Sequence, residues 1–331
     1  MTFGWSQSSS VVDDAVAQAF VQKFMDAGGA TLDCARIYSG GESEQIVGRV
    51  MDTTGCRDAI QLVTKVHPSQ PNGLSPEGIR AQLTASLEAL QVRKVDVLYL
   101  HQPDTENALT NSLECVNALV GEGLIATYGL SNYSVVETER VLAICRDKGY
   151  PLPSVYQGLY NAVNRRVEAE LIPLLRANGM NFVAYNPLAA GLLTGKHKPD
   201  AEVLQGRFKD NTNYMDRFYK PDHFQGLALI REACDKHSLA MASVAYRWLL
   251  SHSALGDGDG LLLGASSVEQ LAQNLSSCAA ATEPLPDDVV AAFDEAWRIC
   301  QPDAFAFWRG YSADQPGRAD LDPGASYVVK K

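Results

Sequence analysis

Asp33, Tyr38, Lys65 and His101 stand at, or just beyond, the C-terminal ends of three successive short apolar runs. This set suits the reduction of a carbonyl by hydride, which builds negative charge on an oxygen that must be stabilised and protonated. A phenol can donate that proton. Its ordinary pKa lies near 10, and a nearby ammonium favours the phenolate, which makes the phenol a stronger acid. Two unit charges about 4 Å apart interact by roughly 4 kcal/mol at an effective dielectric near 20, an upper guide of about three pKa units before desolvation. Lys65 is therefore placed to tune Tyr38, and Asp33 to hold Lys65 charged and oriented. His101 would donate a hydrogen bond to the substrate oxygen as charge develops there. Singly, each has an ordinary explanation: a turn cap, loop packing, a surface cation, a satisfied core histidine. The shared position at strand ends carries the information, because catalytic groups of α/β barrels gather at that face.

The elements that must position them alternate short apolar runs with amphipathic stretches, the pattern of a parallel α/β fold. Strands are expected at Ala30–Asp33, Ile60–Lys65, Val95–His101, Ile125–Leu130, Ser154–Gln157, Asn181–Tyr185 and Gly260–Leu263. Helices are expected at Asp13–Ala27, Ser43–Met51, Pro76–Leu90, Leu109–Gly121 and Val135–Lys148. In the third, Ile79, Leu83, Leu87 and Leu90 recur every three or four positions, so one face can lie on a sheet. Ser75 before Pro76 is an N-cap followed by proline at the first helical position. The reading is a TIM (β/α)8 barrel whose first strand, confined to Thr2–Trp5, is short but closes it. Lys196–Asp222, polar and aromatic, reads as an active-site loop. The barrel domain spans 1–309, and the polar segment 310–331 is expected to be a loosely ordered tail.

Bulk properties narrow the function. The chain has 331 residues, 46% hydrophobic and 20% charged, enough for a sizeable core. A net charge of -11 opposes a phosphate-backbone binder, so nucleic acid is not an expected partner. No apolar run is long enough to span a bilayer. Seven scattered cysteines without a CxxC pair read as reduced thiols, and a cytoplasmic location follows as the expectation. No GxGxxG follows an early strand, which opposes a Rossmann site.

At the four residues a family resemblance becomes visible. LDCARIYSGGESEQIVG, VTK ending at Lys65 and DVLYLHQPD around His101 resemble the Asp, Tyr, Lys and His tetrad of the aldo-keto reductases. GLSNYS, VYQGLYNAVNRRVE, AYNPLAAGLLTGK and GASSVEQLAQN resemble cofactor-binding segments of the same superfamily, in the same order from Phe3 to Arg309. The pattern is most like the aflatoxin-aldehyde reductase branch, which includes succinic semialdehyde reductases. The resemblance implies NADPH-dependent reduction of an aldehyde or ketone, with Tyr38 as proton donor, Asp33 and Lys65 as its supports and His101 orienting the substrate.

By the same resemblance Ser131, Asn132 and Gln157 would hold the nicotinamide carboxamide, and Tyr185 would stack on the ring. Asn186, Pro187, Leu188, Gly191, Leu193, Gly195 and Lys196 belong to a loop around the pyrophosphate, where backbone N–H groups can meet an anion. Arg207 and the segment of Gly264, Ser266, Ser267, Gln270 and Asn274 would meet cofactor phosphate. Gly264 and Gln270 stand where many relatives place a lysine and an arginine. For the substrate, the resemblance implies Tyr214, Arg217 and Arg309, whose guanidinium fork suits a carboxylate. It also implies a homodimer. Two other readings remain: a cofactor-binding regulatory subunit resembling those of potassium channels, and a metal-dependent barrel hydrolase. The second lacks the clustered ligands it needs, with His67 and His101 on different strands and no HxH.

Overall fold

Apolar alternation and helix caps together build a curled parallel sheet wrapped by helices, seen in a computed structural model that describes residues 3–4, 12–199, 206–209 and 211–325. Seven strands lie in sequence order, each parallel to the next. They are β1 (Thr31–Asp33), β2 (Gln61–Val66), β3 (Val95–Leu100), β4 (Ile125–Ser131), β5 (Val155–Leu159), β6 (Asn181–Tyr185) and β7 (Gly260–Leu261). The helices are α1 (Asp14–Asp26), α2 (Glu42–Thr54), α3 (Pro76–Leu90), α4 (Leu109–Gly121), α5 (Val135–Lys148), α6 (Leu171–Ala177), α7 (Thr212–Phe218), α8 (Pro221–Lys236), α9 (Met241–Ser251), α10 (Val268–Ala279) and α11 (Asp287–Cys300). This is the expected barrel architecture, with seven of its strands among the described residues. The short first strand read over Thr2–Trp5 falls largely outside them. Phe3 and Gly4 form a turn, so no strand is seen there.

Caps explain why the helices begin where they do. Ser75 accepts from Gly78 N at 3.1 Å, Ser134 from Glu137 N at 3.1 Å and Asp13 from Val16 N at 3.0 Å, each satisfying an orphan donor of a first turn. One strand face, with Leu62, Val66, Leu98, Leu100, Leu130, Tyr156 and Phe182, packs into the main core against the helices. The opposite face puts Val63, Val97, Tyr99 and Val155 in a small separate cluster inside the sheet's curl. That inner face has the parity of Asp33, Lys65, His101, Ser131, Gln157 and Tyr185, because side chains alternate with period two along a strand. Gly129 shares it and leaves room for a ring: a Cβ there would lie 2.5 Å from Tyr99.

Two expectations change. The segment Lys196–Asp222 is not all loop, since α7 forms within it and α8 starts at Pro221. Nor are residues 310–325 loose. Ser312 N donates to the buried Glu137 carboxylate at 3.0 Å, Ala313 N to Asp104 O at 3.0 Å and Gly310 N to Pro323 O at 2.7 Å. Asp314 accepts from Leu109 N at 2.8 Å, capping α4, and pairs with Arg140 at 2.6 Å. Polarity here reflects partners on other elements rather than solvation. All seven cysteines are free, and only Cys278 is not buried. Among the described residues no helix is long and apolar enough to cross a membrane.

One buried histidine gives the fold a pH limit. His223 on α8 is fully buried beside Phe218, and neither ring nitrogen finds a hydrogen-bond partner among the described residues. Burial, assisted by the Lys220 charge, pushes it down to about 4. The unfolded chain therefore takes up a proton before the folded one does. The stability it contributes is complete above pH 6.5 and is lost as pH falls towards 4, by about 3 kcal/mol in all. Chemical denaturation at several pH values should show that loss, and His223→Phe should remove much of it; an unchanged slope in the variant would discard this assignment. His67, pushed down to about 4 by burial as well, contributes in the same direction and leaves a residual slope.

Candidate active site

Register brings the four residues together. Asp33 at the end of β1 opposes Val63, so Lys65 lies two residues further along β2 on the same face. The buried Lys65 ammonium reaches back to the Asp33 carboxylate and donates to Cys34 O at 2.7 Å. Its Nζ is 5.3 Å from the centre of the Tyr38 ring and 5.6 Å from that of Tyr99. His101 follows β3 directly, and its ring meets that of Tyr38 edge-on at 5.7 Å.

Tyr38 is delivered by a tight turn. Residues Tyr38–Gly41 form a single distorted turn in which Ser39, Gly40 and Gly41 all have positive φ. Gly41 has no Cβ for a clear reason: one would overlap the Arg36 guanidinium, which passes over it to the buried Glu44 carboxylate at 2.6 Å. Glu44 also accepts from Thr64 on β2 at 2.6 Å, so the turn is tied to the strand that carries Lys65.

Protonation states follow from burial. Desolvation, then the Asp33 charge, holds the Tyr38 phenol well above its ordinary pKa. The net direction is opposite to the acid-strengthening expected from Lys65, because burial penalises the phenolate and Asp33 offsets the ammonium. His101 is pushed well below its ordinary value by burial, then by His67 and Lys65, so its imidazole is neutral near pH 7. Its buried Nδ1 has no hydrogen-bond partner among the described residues.

These groups open onto a cavity of about 1900 Å³, lined among others by Asp33, Tyr38, His101, Asn132 and Gln157. Gln157 donates to Asp33 at 2.8 Å, Asn132 to His101 O at 2.8 Å and to Ser131 Oγ at 2.9 Å, and Tyr185 OH to Asn132 Oδ1 at 2.8 Å. Gln157 is thus bonded to the Asp33–Lys65 pair, and Asn132 to the backbone of His101.

At this point the comparisons decide the family. The Aldo/keto reductase family model matches residues 1–298. The chain is an aldo-keto reductase. It is 42% identical over 303 residues to mouse aflatoxin B1 aldehyde reductase member 2, covering 87% of this chain and 82% of that one. Human aflatoxin B1 aldehyde reductase member 4 is 40% identical, with 87% and 90% covered. An aldo-keto reductase of Pseudocercospora fijiensis is 35% identical over 280 residues, with 82% and 94% covered. An aldo-keto reductase reduces aldehydes or ketones.

The remaining site residues of this aldo-keto reductase divide by placement. Asn186, Pro187, Leu188, Gly191, Lys196, Arg207, Gly264, Ser266, Gln270 and Asn274 all line the same cavity, as do Tyr214 and Arg309. Asn186, Ala189, Ala190 and Gly191 have positive φ, and the tight turn they build is closed by Ala189 N donating to Asn186 O at 2.9 Å and Gly191 N to Leu188 O at 2.8 Å. A Cβ at Gly191 would meet only open space. Arg207 donates to Asn186 at 3.1 Å and stands opposite Gly264, where a Cβ would lie 3.4 Å from it. Lys196, Arg207, Ser266 and Gln270 give the lining donors suited to phosphates, and Asn132, Gln157 and Tyr185 give it amides and a phenol, a set whose chemistry fits a nicotinamide dinucleotide.

Four residues do not reach the wall as expected. Leu193 is fully buried in the core. Gly195 ends the turn after Thr194 with φ 74, and its carbonyl is taken by Arg231 at 2.5 Å. Ser267 caps α10 by accepting from Gln270 N at 3.2 Å. Arg217 is turned inward, its guanidinium 4.9 Å from the Phe305 ring centre, because α7 directs it to the core rather than to the face of Tyr214. Two residues were missed. Asn161, fully buried, donates to Asn186 O at 3.0 Å and ties down the turn that begins there. His67 lines the cavity beside His101, and its place just after β2, like that of His101 after β3, was the available signal.

Proposed function

We propose that this chain reduces an aldehyde or ketone to the alcohol with NADPH, Tyr38 giving its phenolic proton to the carbonyl oxygen. The observation that carries this is the meeting of Tyr38, Lys65, Asp33 and His101 beside a cavity that Arg207, Lys196 and Ser266 also line. Bound NADPH would supply the hydride. Tyr38, kept protonated by burial, is a competent donor, and Lys65 stands ready to stabilise the phenolate it leaves. His101, neutral, would present an N–H to the same oxygen, since a donor already in place costs no reorganisation during reaction. Ser131, Asn132 and Gln157 would orient the carboxamide, and Tyr185 the ring. Arg207, Ser266, Gln270 and Asn274 would face the phosphate that distinguishes NADPH from NADH, and Arg309 would meet a substrate carboxylate.

The test is steady-state oxidation of NADPH and of NADH against succinic semialdehyde, ortho-carboxybenzaldehyde and phenanthrenequinone. Carbonyl-dependent oxidation with preference for NADPH is expected. Absence of turnover with every carbonyl, despite tight NADPH binding, would favour a regulatory cofactor-binding role instead.

A further inference from the structure

The turn that delivers Tyr38 is an unfavourable shape held by a buried ion pair. Ser39, Gly40 and Gly41 take φ of 50°, 64° and 99° in succession, and such a left-handed run persists only where its surroundings over-determine it. Arg36 and Glu44 supply the constraint. One guanidinium nitrogen donates to the Glu44 carboxylate at 2.6 Å and to Ala85 O on α3 at 3.4 Å, and another donates to Gly40 O at 3.3 Å. Glu44 on α2, fully buried, divides its two oxygens: Oε2 takes Arg36, and Oε1 accepts from Thr64 Oγ1 on β2 at 2.6 Å. Thr64 precedes Lys65, and the Arg36 backbone N–H donates to Lys65 O at 3.1 Å. Side chain and main chain thus both tie the turn to the strand position whose ammonium stands 5.3 Å from the Tyr38 ring centre.

We propose that Arg36 and Glu44 are positioning residues that hold the Tyr38 hydroxyl in the place from which it serves the reaction. The inference rests on the proposed reductase reading for its kinetic arm only. Stability alone does not account for the pair. Taking two charges out of water can cost more than their attraction returns, and apolar residues of similar size in their place are often neutral or stabilising. What apolar side chains lack is direction. The guanidinium fork fixes Gly40 O relative to the carboxylate, and the carboxylate is fixed in turn on Thr64. Both residues act through the turn rather than on the reacting atoms. A displacement of about 1 Å at a reacting group is enough to slow a reaction by about a hundredfold.

The test compares wild type with Glu44→Met alone, with Arg36→Met, Glu44→Met and Thr64→Val combined, and with Arg36→Lys, which keeps the charge and loses the fork. Urea denaturation reads stability, quenching of protein fluorescence reads NADPH affinity, and stopped-flow oxidation of NADPH by an aldehyde reads the first turnover. Glu44→Met should lose both stability and rate, since it strands the guanidinium and the Thr64 hydroxyl. The triple exchange removes one charge of each sign and strands neither, so its stability should return towards that of wild type. Its first turnover should stay about 10- to 100-fold slow, with NADPH affinity within about twofold. Arg36→Lys should fold like wild type and slow the first turnover about tenfold. Recovery of rate together with stability in the triple exchange, or an undiminished rate in Arg36→Lys, overturns the proposal. Should the triple exchange fail to fold, Arg36→Lys decides alone. If wild type turns over no carbonyl, the reductase reading fails, and crystal structures of wild type and Arg36→Lys decide instead: Tyr38 displaced by about 1 Å supports the role, and Tyr38 in place overturns it.

Discussion

Tyr38→Phe is expected to lower kcat for aldehyde reduction by about 10²- to 10⁴-fold, the range associated with loss of a general acid, with NADPH affinity and thermal stability nearly unchanged. The ring is kept, so its edge contact with His101 at 5.7 Å and its place near the Lys65 ammonium survive. What disappears is the one hydroxyl that the Asp33–Lys65 pair is arranged to serve. The neutral His101 is a poor substitute donor, since giving up a proton would leave an imidazolate in a buried site. Stopped-flow measurement of the first turnover separates this from slow product release. Undiminished turnover in the variant would remove Tyr38 from the role and with it the proposed chemistry.

Lys65→Met should damage both activity and folding. Lys65 is fully buried, and its ammonium is committed to the Asp33 carboxylate and to Cys34 O. Removing one partner of a buried pair leaves the other charge uncompensated, at a cost of about 3–5 kcal/mol. Asp33 would keep only its bond from Gln157. With the ammonium gone, a phenolate at Tyr38 would face the Asp33 charge unopposed, so kcat should fall by at least about a hundredfold. Adding Asp33→Asn removes the stranded charge and should recover much of the stability while leaving activity low. Urea denaturation of the single and double variants reads the first effect, and kcat the second. Independent, additive losses in stability would show that the two side chains are not coupled as described.

The sequence was most legible where a signal was local. Ser75 and Pro76 place the start of α3 and Gln91, left-handed, its end, so the expected Pro76–Leu90 matches the observed helix. Strand-end positions for Asp33, Lys65 and His101 followed from short apolar runs whose length is set by the barrel wall. Where the determinant was distant, the reading slipped. The run Ser154–Gln157 extends instead to Leu159, because Gly158 and Leu159 pair with Ala184 and Tyr185 on β6. Residues 310–325 look like solvated tail, yet Asp314 and Ser312 satisfy groups on α4 and α5 that local composition does not reveal. Arg217 joins Tyr214 at the substrate only by resemblance, and Phe305, distant in sequence, draws it inward. The acid strength of Tyr38 comes out with the opposite sign because the desolvation still to be deducted from the pairwise charge effect outweighs it. His67 entered the sequence reading only as a metal ligand set apart from His101 by strand, because the contact of the two rings depends on the β2–β3 register.

The buried cysteines carry a consequence for a molecule that handles aldehydes. Burial pushes Cys34 and Cys300 up to about 12 and Cys234 up to about 11. Carbonyl electrophiles and their unsaturated relatives are captured by thiolates, which at a pKa near 12 make up roughly one sulfur in 10⁵ at pH 7. Cys34 adjoins Asp33 and so lies closest to where such compounds would concentrate, yet it offers them almost no nucleophile. The thiol nearest the tetrad is thereby kept from competing with the reduction for the carbonyl compound.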